Sequence, residues 1–109
     1  MSYVRVFGKQ LQAAMKALFQ LAYCHHPQNW IPKKDLYLLV AANQDNDERL
    51  NWFGDFSGDK KKSAQVKLGK AISLFKNRIL SGIKLEIDQS LAETQNWKLR
   101  WKLRFTKRS

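Results

Sequence analysis

Two groups of residues in this chain have the chemistry to hold a metal ion or to take part in catalysis. The first is the run Cys24-His25-His26. A zinc site needs three or four ligands at matching spacing, and the sequence has no other Cys or His to complete one. We therefore expect this run to be a helix end with two exposed histidines.

The second group is a set of carboxylates in the middle of the chain: Asp45, Asp47, Glu48, Asp55 and Asp59. A calcium loop starting at Asp45 would need glycine at its sixth position, where Leu50 stands. A metal-dependent nuclease would need carboxylates on rigid elements, whereas these lie among turn-forming residues. No Ser/His/Asp or Cys/His pair stands out either, so we expect no metal, no cofactor and no enzymatic activity.

Positive charge is the strongest chemical feature of the sequence. The chain has 20 Lys+Arg against 9 Asp+Glu, a net charge of +11. Residues 52–109 contain fourteen of the basic residues and five of the acidic ones, so this half carries most of the field. Such an excess indicates a polyanionic partner, which means nucleic acid, an anionic membrane surface or an acidic protein.

The stretch "NWKLRWKLRF" indicates how part of this charge is displayed. From Trp97 to Phe105, large apolar residues alternate with Lys or Arg, which is typical of a half-buried strand. As a helix the same residues would scatter their charges around the axis, which disfavours a membrane-bound amphipathic helix. The aromatic residues lie on the face opposite the charges, so we expect them in the core and not as a base-stacking platform.

The elements that must position these residues follow from periodicity. The stretch "VRVFGKQLQAAMKALFQLAY" has a helical apolar stripe that includes Met15 and Leu18, and it ends before Pro27. A very short extended piece at Trp30-Ile31 precedes a second helix that starts at Pro32 and ends at Asn43. The segment from 44 to 62 is irregular, but its large apolar residues predict that it packs against the core.

A third helix over Ser63–Arg78 and a β-hairpin over Ile83–Phe105 complete the chain. Ser63 is the expected N-cap of this helix. Gly69 lies in its middle at a cost of about 1 kcal/mol relative to Ala, which close packing or the close approach of another group would explain. The predicted buried stripe of the helix is Leu68, Ala71, Ile72, Phe75 and Ile79. The hairpin has a polar tip at about residues 89–96.

The order helix, short strand, helix, loop, helix, hairpin predicts an α+β winged helix. This would be a single domain over residues 1–109, with a three-helix helix-turn-helix core and a C-terminal β-hairpin wing. The stretches "LGKAISLFKNRILSGIKLEI" and "WKLRWKL" resemble the winged-helix DNA-binding region at the end of phage and plasmid primase-helicase proteins. The resemblance covers about residues 55–105 and implies duplex DNA binding by the third helix and wing. The sequence has no phosphate-binding Gly-x-x-x-x-Gly-Lys-Ser/Thr motif, so helicase or primase activity is not implied.

The candidate nucleic-acid-binding residues lie on two adjacent elements. Those on or just before the third helix are Lys60, Lys61, Lys62, Lys67, Lys70, Ser73 and Asn77. Those on or just after the second wing strand are Lys98, Arg100, Lys102, Arg104, Lys107 and Arg108. We expect the lysines before the helix to contact phosphate, and Lys67, Lys70 and Asn77 to point into a major groove, with Ser73 a weaker candidate.

Acidic residues of the first wing strand modify this prediction. We expect Glu86 and Asp88 to pair across the hairpin with Lys98 or Arg100. The unpaired wing candidates are then Lys102, Arg104, Lys107 and Arg108.

The predicted function is non-enzymatic binding of double-stranded DNA, in transcription control, replication or mobile-element maintenance. Two alternatives stay open: a protein–protein adaptor within a nucleoprotein complex, and a binder of RNA or single strands. Cys24 is the only cysteine, and basic residues interrupt the early apolar residues, which together favour a reduced cytoplasmic protein without a signal peptide.

Overall fold

The fold combines helices with one antiparallel sheet, as the α+β prediction requires. The computed structural model describes residues 2–88 and 102–107. The helices are α1 (Ser2–His25), α2 (Lys33–Asn43), a 3₁₀ helix (Glu48–Phe53) and α3 (Lys61–Leu74). The strands are β1 (Trp30–Pro32), β2 (Ile79–Leu80), β3 (Ile83–Asp88) and β4 (Lys102–Lys107).

The sheet has the strand order β1-β4-β3-β2, and every pairing is antiparallel. The short strand that follows α1 therefore pairs with the last strand of the chain. Burial alternates along β4, where Leu103 and Phe105 are buried while Lys102 is exposed. This confirms that the apolar residues of this strand face inward.

Helix α1 supplies the centre of the hydrophobic core. Its apolar stripe is fully buried at Met15, Leu18 and Phe19, as its periodicity predicts. The Phe19 ring meets Phe75, just past the end of α3, edge-on at 6.4 Å between ring centroids. It also meets Phe105 of β4 edge-on at 5.2 Å. One aromatic ring of α1 thus joins the last turn of α3 to the sheet.

The segment between α2 and α3 packs against the core, as predicted from its large apolar residues. Leu50, Phe53 and Phe56 are buried. Gln44 is buried with them, and its amide Nε2 donates to the carbonyl oxygens of Leu50 and Gly54. Its Oε1 accepts from the Phe56 N–H at 3.2 Å. Because a buried amide must satisfy its donors and its acceptor, this side chain fixes the path of the segment.

Asp47 starts the 3₁₀ helix within that segment. Its Oδ1 accepts from the Arg49 N–H, and its carboxylate also binds the Arg49 guanidinium, with Oδ2 2.7 Å from Nη2. The side-chain hydrogen bond from Arg49 holds the pKa of the Asp47 carboxyl below its usual range. The same contact raises the pKa of Arg49. This local pairing shows that at least one carboxylate of the central group has a capping role.

The predicted bounds of the third helix are wrong at both ends. Ser63 is not the N-cap; the helix begins two residues earlier, and Lys60 occupies the cap position without a side-chain hydrogen bond. The helix ends at Leu74 instead of Arg78, because the chain turns at Asn77, where φ is +64°. Asparagine tolerates this left-handed conformation better than most residues. Ile79 is therefore part of β2 and 54% exposed, and it does not belong to the buried stripe.

Candidate nucleic-acid interface

Helix α3 has two clearly different sides. Ala64, Leu68, Ala71 and Ile72 are buried against the core. The residues on the opposite side are exposed: Lys62, Ser63, Val66, Lys70 and Ser73. We call these five residues the outward face of α3. The predicted display of Lys70 and Ser73 away from the core is confirmed.

The N-terminal end of α3 concentrates positive charge. Lys60, Lys61 and Lys62 are all exposed, and the first turn has no acidic residue. Cations next to a helix N-terminus are unfavourable, because the free backbone N–H groups there already carry partial positive charge. Asp59 is the acidic residue next to these lysines in the sequence, and α3 itself contains no carboxylate. An anion bound at this end would relieve the repulsion.

Lys67 lies on the flank of α3 and has an intramolecular partner. Its Nζ is 4.1 Å from the centre of the Trp52 ring, a cation–π contact between α3 and the 3₁₀ helix. Trp52 in turn packs edge-on against the buried Phe53. Lys67 is still exposed, but the Trp52 ring holds its side chain at the edge of the outward face. Sequence reasoning missed this contact, because the spacing of Trp52 and Lys67 follows no local period.

Asn77 is exposed but does not lie on a helix. It occupies the turn between α3 and β2, where its backbone N–H donates to the Leu85 carbonyl at 2.9 Å. Its expected position on the groove-facing surface of a longer helix is therefore wrong. Asn77 instead links the end of α3 to β3 through its backbone.

The candidate basic residues of the last strand that fall within the described part of the chain divide between the two sides of the sheet. Lys102 and Arg104 share the outer side, whereas Lys107 alternates with them and lies near the Tyr23 ring of α1 at 5.9 Å. Lys98, Arg100 and Arg108 lie outside the described residues, as do Trp97 and Trp101. The predictions made for these residues are therefore not addressed by the structure.

The prediction that Arg104 is an unpaired cation is wrong. The register places it opposite Glu86 on β3 and Trp30 on β1. Its Nη2 is 2.6 Å from Glu86 Oε1, and its guanidinium carbon lies 4.5 Å from the centre of the Trp30 ring. The expected partners of Glu86 and Asp88 are also corrected, because the register sets Asp88 opposite Lys102. Arg104 thus joins three strands on the outer side of the sheet.

The other groups with possible chemistry show no assembled site. Among residues 2–88 and 102–107, no three His, Cys, Asp or Glu side chains come together to hold a metal ion. Cys24 is an exposed free thiol at the end of α1. None of the helices in the described part of the chain has the length and apolarity to cross a bilayer.

A scan against models of protein families found no match, and searches of curated proteins and of solved structures found none either. The function must therefore be argued from the geometry of α3 and the sheet. One feature of α3 was not singled out by the sequence, the exposure of Val66. The helical periodicity does predict that Val66 faces away from the core, and this is the sequence signal that could have identified it as an exposed apolar residue. Close internal packing, one of the two explanations expected for Gly69, is wrong, because a Cβ added there would meet no atom within 4 Å.

Proposed function

We propose that this chain is a winged-helix domain that binds nucleic acid, and double-stranded DNA in particular, without catalysing a reaction. The proposed role is in transcription control, replication or mobile-element maintenance, as for the winged helices of phage and plasmid primase-helicase proteins that the sequence resembles. We also propose a cytoplasmic location, which the free thiol of Cys24 supports.

The topology supports the winged-helix part of the proposal. A winged helix has a short strand after its first helix, and this strand pairs with the final strand of a C-terminal hairpin. Here β1 pairs with β4 in the register Trp30–Arg104, Ile31–Leu103 and Pro32–Lys102. The β3–β4 hairpin then corresponds to the wing, and α3 to the helix that enters a groove.

The observation that carries the proposal is the outward face of α3. Lys62 and Lys70 are both exposed on this face, and among the described residues neither forms an ion pair with a carboxylate. The ion pairs Arg49–Asp47 and Arg104–Glu86 lie on other elements. A cationic helix face without internal counter-charges is suited to a polyanion, and a B-DNA major groove is wide enough for one helix.

The proposed mechanism separates anchoring from reading. Lys60, Lys61 and Lys62 contact backbone phosphates at the start of α3, where the helix N–H groups add to their field. The outward face then lies against base edges. Because each phosphate contact releases counterions from the DNA, affinity falls steeply as salt is raised.

The test is a gel shift of the full chain with duplex DNA, single-stranded DNA and RNA of the same length. We expect the tightest binding to duplex DNA, with affinity falling at least tenfold between about 50 and 200 mM salt. If one of the single-stranded probes binds most tightly, that nucleic acid, and not duplex DNA, is the preferred ligand. Salt-independent binding, or none, would contradict the proposal.

An adaptor role is the second candidate, and a specific observation favours it. Leu74 and Val66 are 62% and 57% exposed on a helix that is otherwise cationic, which would also suit an acidic protein partner. Failure of all three nucleic acids in the gel shift would favour this role over the first.

A further inference from the structure

Val66 is an exposed apolar residue among the lysines of α3. Its side chain is 57% exposed, and it lines a shallow surface depression together with Lys62, Ser63, Lys67 and Lys70. A β-branched residue is a poorer helix former than lysine or glutamine. Neither burial nor helix stability therefore accounts for valine at this position.

Gly69 lies one turn further along the same side of the helix. A Cβ added at Gly69 would meet no atom within 4 Å, so internal packing does not require glycine there. Residues three apart on a helix are neighbours on its surface. A partner that approaches the bare backbone at Gly69 would therefore press against the Val66 side chain.

The major groove of DNA offers one apolar group to such a side chain. Base edges there present hydrogen-bond donors and acceptors, and thymine adds its 5-methyl group. Val66 has no hydrogen-bonding atom in its side chain, whereas the lysines around it can serve phosphates and purine acceptors. Of the groups in the groove, the thymine methyl is the one that matches Val66.

We propose that Val66 contacts the thymine methyl group and so determines a preference of this chain for thymine at one position of its site. This inference rests on the proposed binding of duplex DNA by α3. Beyond that function, the inference names the group on the DNA that is recognised and the residue that recognises it.

The test compares two alternating duplexes of about 24 base pairs, roughly two helical turns. One contains adenine and thymine, and the other contains adenine and uracil, in deoxyribose strands. The two have the same charge and the same minor-groove pattern, and they differ in the major-groove methyl. We expect the wild-type chain to bind the thymine duplex about fourfold more tightly, the value of burying one methyl-sized group.

Two variants assign the preference to its residue. Val66→Ala removes the contact, and because Val66 is exposed and alanine favours helices, this variant should fold and bind both duplexes equally. Leu74→Ala is the matched control, since it removes another exposed apolar side chain of α3 and should keep the fourfold preference.

Each of the other outcomes overturns the inference. Equal binding of both duplexes by the wild-type chain, or a preference that persists in Val66→Ala, would show that Val66 does not read the methyl. Loss of the preference in Leu74→Ala would show that the preference cannot be assigned to Val66. In those cases duplex binding itself still stands. Failure of the wild-type chain to bind either duplex would overturn the proposed function together with the inference.

Discussion

At the scale of single residues, Gly69 carries a cost that the fold does not offset. Glycine in a helix interior is about 1 kcal/mol less favourable than alanine, and nothing packs where its side chain would be. Glycine suits a helix position where a partner comes close to the backbone.

Gly69→Ala should therefore separate stability from binding. We expect the free energy of unfolding to rise by about 0.5–1 kcal/mol, measured by urea titration. Duplex affinity should fall severalfold in the gel shift, because the new methyl group holds the DNA away from α3.

Gly8→Ala is the matched control for this change. Gly8 lies within α1, and a Cβ added there also meets no atom within 4 Å. The Gly8→Ala variant should raise the free energy of unfolding by a similar amount without changing the affinity for duplex DNA. A Gly69→Ala variant that binds duplex DNA as tightly as the wild type would show that no partner approaches this part of α3.

Arg104 illustrates the opposite case, in which a basic residue has a structural role. Arg104→Ala removes the ion pair with Glu86 and the cation–π contact with Trp30. Because the pair is partly exposed, we expect the free energy of unfolding to fall by only about 1 kcal/mol. Duplex affinity should change less than twofold. A large loss of affinity with stability unchanged would instead identify Arg104 as a phosphate contact.

At the scale of elements, α3 is predicted to provide most of the electrostatic contacts. Lys62 and Lys70 lie on its outward face, whereas Lys67 is held at the flank by Trp52. The two freely exposed lysines are therefore the better pair for testing the helix.

The double variant Lys62→Ala/Lys70→Ala should weaken duplex binding and lower the slope of log affinity against log salt by about one, for the lost phosphate contact of Lys62. The control is Lys9→Ala/Lys16→Ala, which makes the same change of net charge on exposed positions of α1. An equal loss of affinity in both variants would mean that overall charge, and not α3, governs binding.

At the scale of the whole molecule, the Phe19 ring connects the two parts of the proposed interface. It touches Phe75 after α3 and Phe105 on β4, so it fixes the position of the helix relative to the sheet. Rigid placement of a reading helix beside a wing depends on such a contact.

Phe19→Ala should therefore destabilise the fold by about 3–5 kcal/mol in urea titration. Phe19→Leu keeps most of the apolar volume and should cost clearly less. Similar losses in both variants would show that the aromatic contacts themselves, and not the filled volume, hold the two parts together.

Much of this arrangement could be predicted from local patterns. The helical stripe of α1 and the alternation in β4 each follow from a repeat of a few residues, and the short extended piece at Trp30 was expected just before Pro32. The exposure of Lys70 and Ser73 follows from the same periodicity. Because these features depend only on residues close together in the sequence, they can be predicted without knowing the fold.

The errors arose where distant parts of the chain meet. The early end of α3 depends on the turn at Asn77 and on its hydrogen bond to β3. The pairing of Arg104 with Glu86 depends on the hairpin register, which the sequence left open by a few residues. The Lys67–Trp52 contact joins two elements that no repeat relates.

The strand order has a consequence for behaviour at high concentration. Within residues 2–88 and 102–107, the sheet ends on β1, with three residues, and on β2, with two, while the longer β3 and β4 lie between them. Pro32 in β1 also lacks a backbone N–H to offer a further strand. Where β1 and β2 cover the longer strands, these short borders give a neighbouring copy little backbone to pair with. Molecules crowded side by side should therefore resist polymerising through that part of the sheet.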